Sequence, residues 1–317
     1  MFTCQEPHSS NGFIQQPTII YWLPEMTDRT ILCIILHYGD EYVTWECVKN
    51  IHHHNSLDIL IVDNDPKQRL SITDKYIGRV NIFRTGGTAG FARANNLAVK
   101  YARKNIHDSI FLLNNDTLVL DDAIDKLYGL LNTDNIGLVG PCIPYASNPE
   151  KIWACGGIIE RLKVKIYGIE APPQSMPFDV DYLPGAAILC RMKIWDLTGG
   201  LPEKYFLAYE EADFAIQVKK LGYRVVVNPD ARVLHKVGMS SNIQPMYAYN
   251  SMRNRLRFGM MLWGRISGFI LASILCFIGS AKNWNSLTLW YKAVRDEISG
   301  LPLDRDALQN IKRQYKD

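Results

Sequence analysis

A chain of 317 residues, 47% hydrophobic and 21% charged, can bury a large core in one or two units and does not have the composition of a disordered protein. A formal net charge of +3 is too mild to argue for a nucleic-acid partner. Seven cysteines without CxxC spacing, several of them inside apolar runs, fit free thiols in a reducing cytosol better than a disulfide scaffold or a zinc site.

Residues 1–29 lack the basic start and unbroken apolar core of a signal peptide, and Glu6, Pro7, Pro17 and Pro24 interrupt them, so they read as a loosely ordered extension. From Thr30 short apolar runs alternate with amphipathic stretches. Residues 31–36 read as a buried strand, and 42–53 follow as a helix with Tyr42, Trp45, Val48 and Ile51 on one side. Residues 57–62 form a second strand closed by the turn Asp63-Asn64-Asp65-Pro66, and 80–83 a short third. A helix over 90–104 and a strand over 109–113 lead into Asn114-Asn115-Asp116, and a helix over 121–131 carries acidic residues in its first turn. This rhythm predicts a parallel, doubly wound sheet, in which ligands bind beyond the carboxyl ends of the strands. His37, Asp63, Arg84 and Asp116 all fall at such ends and are predicted to line one crevice.

After Pro141 the rhythm changes. Residues 142–182 read as a loop-rich cover, 182–191 as a strand, 210–221 as a helix, 224–227 and 232–234 as short strands, and everything from Met246 as helix. The expected division is a catalytic domain over 30–245, with a nucleotide-binding half 30–141 and an acceptor half 142–245, followed by a helical segment over 246–317. Residues 266–281 carry no charge; as a helix they would span roughly 24 Å, short of a hydrocarbon core of roughly 30 Å. A buried helix or hairpin, a helix in the membrane interface with Arg253, Arg255, Arg257, Arg265 and Lys282 at headgroup level, and a true span all remain open.

Two acidic clusters carry the chemistry. Asn114-Asn115-Asp116 offers one carboxylate flanked by amides, which suits magnesium or manganese completed by water and substrate phosphates, or equally an Asx turn. Glu210-Glu211-Ala212-Asp213 opens a helix, where the dipole favours carboxylates. Adjacent carboxylates also raise one another's pKa, as a general base working near neutrality requires. Between them, Gly86-Gly87-Thr88-Ala89-Gly90 leads into a helix and lets backbone N–H groups approach a phosphate or ribose. His235 follows a strand and is either a metal or diphosphate contact or a structural histidine. His52-His53-His54 reads as the exposed end of a helix, since consecutive helical positions diverge.

Taken in order, Ile61-Val62-Asp63-Asn64, residues 87–96, Leu113-Asn114-Asn115-Asp116-Thr117, Leu183-Pro184-Gly185, Gly199-Gly200-Leu201-Pro202, the Glu210 cluster, His235 and its successors, and Tyr249 with Arg253-Asn254 resemble glycosyltransferase family 2. The branch they are most similar to is the rhamnosyltransferase-like one that builds bacterial surface polysaccharides such as O-antigen. The resemblance implies a GT-A fold, a Rossmann-like, mainly parallel mixed sheet with flanking helices, here with a C-terminal helical appendage, and an inverting mechanism. It implies donor contacts from His37, Asp63 (the base), Arg84, Gly87, Gly90, Phe91, Asn95, Asn114 and Asn115, and a divalent metal, Mg2+ or Mn2+, on Asp116 with His235. Glu211 takes the place of the catalytic base, with Glu210 and Asp213 in support, and Trp153 and Gly185 stand on the acceptor side.

The implied partners are a dTDP- or UDP-sugar, a lipid-linked oligosaccharide and the membrane surface, with the protein peripheral on the cytoplasmic face of the cell membrane. Rhamnose is the first choice of sugar, ahead of galactofuranose, glucose or an N-acetylhexosamine. Three departures stand out: Asn114 replaces the first carboxylate of the family's DxD motif, Glu211 replaces an aspartate, and Asp65-Pro66 replaces small and hydroxyl residues. A non-catalytic sugar-binding or membrane-scaffold protein with a decayed site is the alternative. A nucleotidyltransferase is disfavoured because residues 36–42 supply no lysine-bearing glycine loop.

Overall fold

In the computed structural model the described residues are 31–67, 70–71, 80–87, 89–102, 107–120, 122–133, 135–236, 244–281 and 284–302. The 1–29 extension, Thr88, residues 237–240, Lys282 and the stretch beyond 302 lie outside them.

The apolar runs become strands because they are covered on both faces. In β1 (Ile31–His37) Leu32 and Ile34 enter one core while Ile31, Cys33 and Ile35 enter another, as a period of two demands. The first core is closed by α2 (Phe91–Ala102) and later helices, and the second by α1 (Glu41–Ile51) and α3 (Ala123–Leu131). Around β1 run β2 (Leu57–Asp63), β3 (Val80–Arg84) and β4 (Ser109–Asn114), all parallel. A short β5 (Thr117–Val119) follows β4.

The second half completes the sheet. Its strands are β6 (Ile136–Tyr145), β7 (Asn148–Ala154), β8 (Gly157–Glu160), β9 (Lys165–Gly168), β10 (Phe178–Asp179), β11 (Ala187–Arg191) and, after α4 (Met192–Thr198) and α5 (Glu210–Lys220), β12 (Arg224–His235). The order is β10-β12-β6-β11-β4-β1-β2-β3, with β11 antiparallel to both neighbours and β8–β9 a separate hairpin. The sheet is therefore mixed and mainly parallel in its first half, with helices on both faces.

Several expectations change here. The segment 142–182 is a set of short strands rather than a loop, because pieces of two to seven residues separated by turns are too brief to display a period. The two strands expected at 224–227 and 232–234 are one, interrupted by a register shift between Asn228 and Arg232, where Pro229 cannot donate to the ladder. The strand expected from 182 begins only at Ala187, leaving Leu183 to Ala186 free to turn. The cysteines are not all free thiols. The β6–β7 hairpin brings Cys142 and Cys155 to a Cα separation of 4.2 Å and they form a disulfide, while Cys33, Cys47, Cys190 and Cys276 are buried and free.

Three helices end the described chain: α6 (Gln244–Trp263), α7 (Arg265–Ser280) and α8 (Trp284–Ile298). α6 and α7 fold back on one another with no side chain between them at one crossing. A Cβ on Gly268 would lie 2.0 Å from the Gly259 carbonyl oxygen, and one on Gly259 would lie 2.6 Å from that of Gly268. Leu256, Phe258 and Ala272 join the main core, so α6 is keyed into the sheet domain.

No helix among the described residues is long and apolar enough to cross a membrane. The expectation that the α6 arginines lie at headgroup level is corrected. Arg253 is 0% exposed and pairs with Glu297 at 2.7 Å, Arg255 donates to the carbonyls of Lys163 and Val164, and Arg257 bonds Glu297 and the Lys204 carbonyl. Only Arg265 of the four described residues is exposed.

Candidate active site

Parallel strands in register deliver their carboxyl-terminal residues side by side. His37 lies opposite Asp63 and Asp63 opposite Arg84, with Asn114 one step along on the other flank of β1. His37 is buried, and its Nδ1 is 2.7 Å from the Thr44 hydroxyl, which also receives the Asn115 amide at 2.9 Å. Its Nε2 has no hydrogen-bond partner among the described residues, and burial holds the imidazole below its ordinary pKa. Asp63 accepts from the N–H groups of Asp65 and Leu70 and lies 3.6 Å from Arg84, whose guanidinium also donates to the Leu70 carbonyl.

The glycine loop is held from beneath. Asn64 Oδ1 accepts from the Thr85 hydroxyl at 2.9 Å and from the Ala89 N–H at 2.8 Å. Gly90 has φ +76° and a Cβ there would meet the Phe206 carbonyl oxygen at 2.7 Å, so this position requires glycine. The Phe91 N–H donates to that same carbonyl at 2.9 Å. Asn95 turns inward and donates to the Phe91 carbonyl within its own helix. Asn96 faces the other way, clamping Leu201 through both its N–H and carbonyl and reaching Glu203.

Asp116 and His235, far apart in sequence, are adjacent in space because β5 pairs antiparallel with β12. Asp116 Oδ1 is 3.1 Å from His235 Nε2, and the Trp153 ring meets the imidazole at 4.6 Å between centroids. Trp153 therefore stands against this pair. His235 Nδ1 is buried without a partner among the described residues. No cluster of three His, Cys, Asp or Glu suited to a metal occurs among the described residues. One carboxylate and one imidazole at a strand end still fit a hard divalent cation that takes its remaining ligands from water and substrate phosphate.

The second acidic cluster is presented by a strained turn. Ala208 and Tyr209 both adopt left-handed backbone, φ +71° and +76°, a conformation costing on the order of 1–3 kcal/mol per non-glycine residue. Two asparagines one turn apart on α6 hold it. Asn250 donates to the Leu207 carbonyl at 2.6 Å, and Asn254 donates to Leu207 at 2.7 Å and Ala208 at 2.9 Å. Both are buried, and the amide oxygen of each lacks a partner among the described residues.

Directly after this turn come Glu210 and Glu211. Glu210 is 1% exposed, and its Oε2, like that of Glu211, is buried without a hydrogen-bond partner among the described residues. Burial raises both carboxyl pKa values, with the charge of Glu211 adding to the effect on Glu210, and the Gly185 N–H partly offsets the shift on Glu211. A Cβ on Gly185 would sit 3.3 Å from Glu211 Oε1 and 3.1 Å from Phe91 Cζ, so glycine there keeps the approach to the carboxylate open. The Asn114 N–H donates to the Ala186 carbonyl at 3.0 Å, which ties the Asp116 strand end to the Gly185 turn beside Glu211. Asp213 is not brought to this place. Its carboxylate binds Lys204 at 2.7 Å, Tyr205 and Gln217, fixing the loop before α5.

Sequence reasoning missed Thr44 and Asn250. Thr44 bridges His37 and Asn115 from a helix face that looks like plain packing. Asn250 carried a readable signal, standing four residues before Asn254 on one helix face.

This geometry has relatives. The family model "Glycosyl transferase family 2" matches residues 33–196, just over half of the chain. A dTDP-rhamnosyl transferase of Shigella flexneri is 20% identical over 216 residues, covering 68% of this chain and 71% of its own. An N-acetylglucosaminyl-diphospho-decaprenol L-rhamnosyltransferase of Mycobacterium tuberculosis is 30% identical over 97 residues, 31% of this chain and 28% of its own. Among solved structures, a Pyrobaculum calidifontis mannosyltransferase in complex with GDP-Man and Mn2+ superposes with a TM-score of 0.52 at 13% identity, covering 87% of this chain and 79% of that one. The mixed sheet with its flanking helices is the GT-A fold, and the chain belongs to glycosyl transferase family 2.

Proposed function

We propose that the protein is an inverting, divalent-metal-dependent transferase that moves rhamnose from dTDP-rhamnose to a hydroxyl of a lipid-linked glycan. The observation that carries this reading is the Glu211 carboxylate, buried, lacking a partner for Oε2, and facing the gap left by Gly185. Glu211 takes the acceptor hydroxyl proton as that oxygen forms its bond to the anomeric carbon. The bond to the diphosphate breaks on the opposite face, and the electron pair leaves with the nucleoside diphosphate. Asp116 and His235 would hold the metal, which neutralises charge on the departing diphosphate. Asp63, Arg84 and the glycine loop orient the nucleotide, and burial, by raising the pKa of Glu211, makes it a stronger proton acceptor.

Rhamnose is supported by the activities of the Shigella and Mycobacterium relatives, and the lipid-linked acceptor by the second of them. A peripheral position on the cytoplasmic face of the membrane, with residues 246–317 as the associating segment, is supported by α7. There Ile266, Ile270 and Ile274 form an exposed stripe at four-residue spacing, 77%, 52% and 52% accessible. Glu211→Gln is expected to lower turnover by about 10²–10⁴-fold, the usual weight of a general base, while nucleotide-sugar affinity changes little. Nucleotide release across a panel of dTDP- and UDP-sugars with Mn2+ measures both points. Near-normal turnover by the variant would remove Glu211 as the base, and release from a hexose donor alone would replace rhamnose.

A further inference from the structure

A second cleft of about 780 Å³ opens between the start of α2, the loop before α5 and the α6–α7 junction. Neither Asp116 nor His235 lines it. Its walls carry four cations, Arg93, Lys204, Arg257 and Arg265, and two carboxylates, Glu203 and Glu297, beside Phe206. Both carboxylates are already occupied, Glu203 by the Asn96 amide and Glu297 by Arg253 and Arg257. Two of the cations are already fixed, Lys204 by Asp213 and Arg257 by Glu297. The other two, Arg93 and Arg265, are exposed and have no ion-pair partner among the described residues. Two uncommitted guanidinium groups flanked by two anchored cations suit a diphosphate, since guanidinium grips phosphate oxygens in pairs.

The cleft connects to two features already described. On the outer side Arg265 is the first residue of α7, and Ile266 directly after it begins the exposed apolar stripe. On the inner side Phe206 runs through the strained turn into Glu210 and Glu211, and its carbonyl receives the N–H of Phe91, whose ring borders Gly185.

We infer that this cleft seats the diphosphate of the acceptor, with the lipid chain lying along α7 and the attached sugar passing round Phe206 toward Glu211. The inference rests on the lipid-linked acceptor proposed above and deepens it, giving the acceptor's diphosphate a place separate from the donor's. An apolar chain explains why the stripe adjoins the cations, and a diphosphate explains why the cations sit at one end of the stripe.

The test uses the full chain and farnesyl diphosphate as probe, titrated calorimetrically in EDTA so that a metal-bridged donor site does not contribute. Inorganic pyrophosphate, farnesol and phosphatidylglycerol vesicles serve as separate arms. Farnesyl diphosphate is expected to bind tighter than pyrophosphate or farnesol, and Arg93→Ala with Arg265→Ala is expected to weaken it by about tenfold or more. Binding of dTDP with Mn2+ should stay within about twofold, and the melting temperature should hold because both side chains are exposed.

Equal farnesyl diphosphate affinity in the double variant overturns the inference. So does a parallel loss of dTDP binding, which would assign the cleft to the donor, or a loss confined to vesicle binding, which would make the arginines a general headgroup contact. These readouts do not depend on turnover. If the unaltered protein releases nucleotide from no sugar donor, the proposed activity falls while the binding result still judges the cleft.

Discussion

At the scale of single residues, Glu210 is the most costly side chain in the site. It is fully enclosed, lacks a partner for Oε2, and stands beside a second carboxylate. Burial lifts its pKa, so the folded protein holds this proton more tightly than the unfolded chain does. Stability is then greatest below the ordinary carboxylate value of about 4.3 and falls as pH rises through the raised folded value. Denaturant melts at pH steps from 5 to 8 are expected to show this decline in the unaltered protein and a flatter profile in Glu210→Gln. Identical slopes in the two proteins would mean that Glu210 does not carry the linkage. The acidic pair was legible in the sequence because carboxylates beside an apolar run require a reason. Its division of labour was less so: Asp213 looks like a third member of the cluster, and only the fold reveals that Lys204, Tyr205 and Gln217 occupy it.

At the scale of elements, α6 holds the turn that aims α5. Three hydrogen bonds from Asn250 and Asn254 keep two left-handed residues in place, and each bond contributes about 0.5–1.5 kcal/mol. Asn254→Ala removes two of these bonds and is expected to cost about 1–3 kcal/mol of stability. Because Glu211 is then less well aimed, kcat should drop more than KM for the donor changes. Adding Ala208→Gly, which accepts φ +71° without strain, should restore part of both losses. A double variant no better than Asn254→Ala would detach the turn's conformation from catalysis.

The strands that position the site were readable, since β1, β2 and β4 are apolar runs ending in polar residues, broken only by Asp58 near the start of β2. The helix-to-turn clamp was not, because its partners lie more than 40 residues apart. The i, i+4 spacing of Asn250 and Asn254 marks a shared helix face but not the turn that this face clamps. The short strands of 142–182 escaped because they are too brief to show a period, and the Cys142–Cys155 bridge because only the β6–β7 hairpin brings the two thiols together.

At the scale of the whole molecule, the chemistry lies at the carboxyl edge of the sheet and the exposed apolar stripe on a helical hairpin fastened to it. Moving a fully exposed isoleucine from water into an apolar layer gains about 1.5–3 kcal/mol, and the half-exposed Ile270 and Ile274 would gain part of that at the lipid surface proposed above. Ile270→Asp with Ile274→Asp is expected to release the protein from phosphatidylglycerol vesicles in a flotation assay while leaving the melting temperature within about 2 °C. Unchanged flotation would remove α7 as the contact, and a smaller particle in size-exclusion chromatography would assign the stripe to a second copy of the chain. The sequence showed that residues 266–281 are apolar but not which of their faces is covered, because that depends on where Gly259 meets Gly268.

That crossing has a mechanical consequence. Most helix pairs are separated by a layer of side chains that can shift rotamers and absorb small displacements. Here peptide backbone rests directly on peptide backbone, so the hairpin has no such cushion at this point. A displacement of α7 is therefore passed directly into α6, nine residues from the Asn250 position that holds the turn before Glu210. The hairpin is thus a stiff lever rather than a loose appendage, with α7 as its long arm and the turn before Glu210 at its short one.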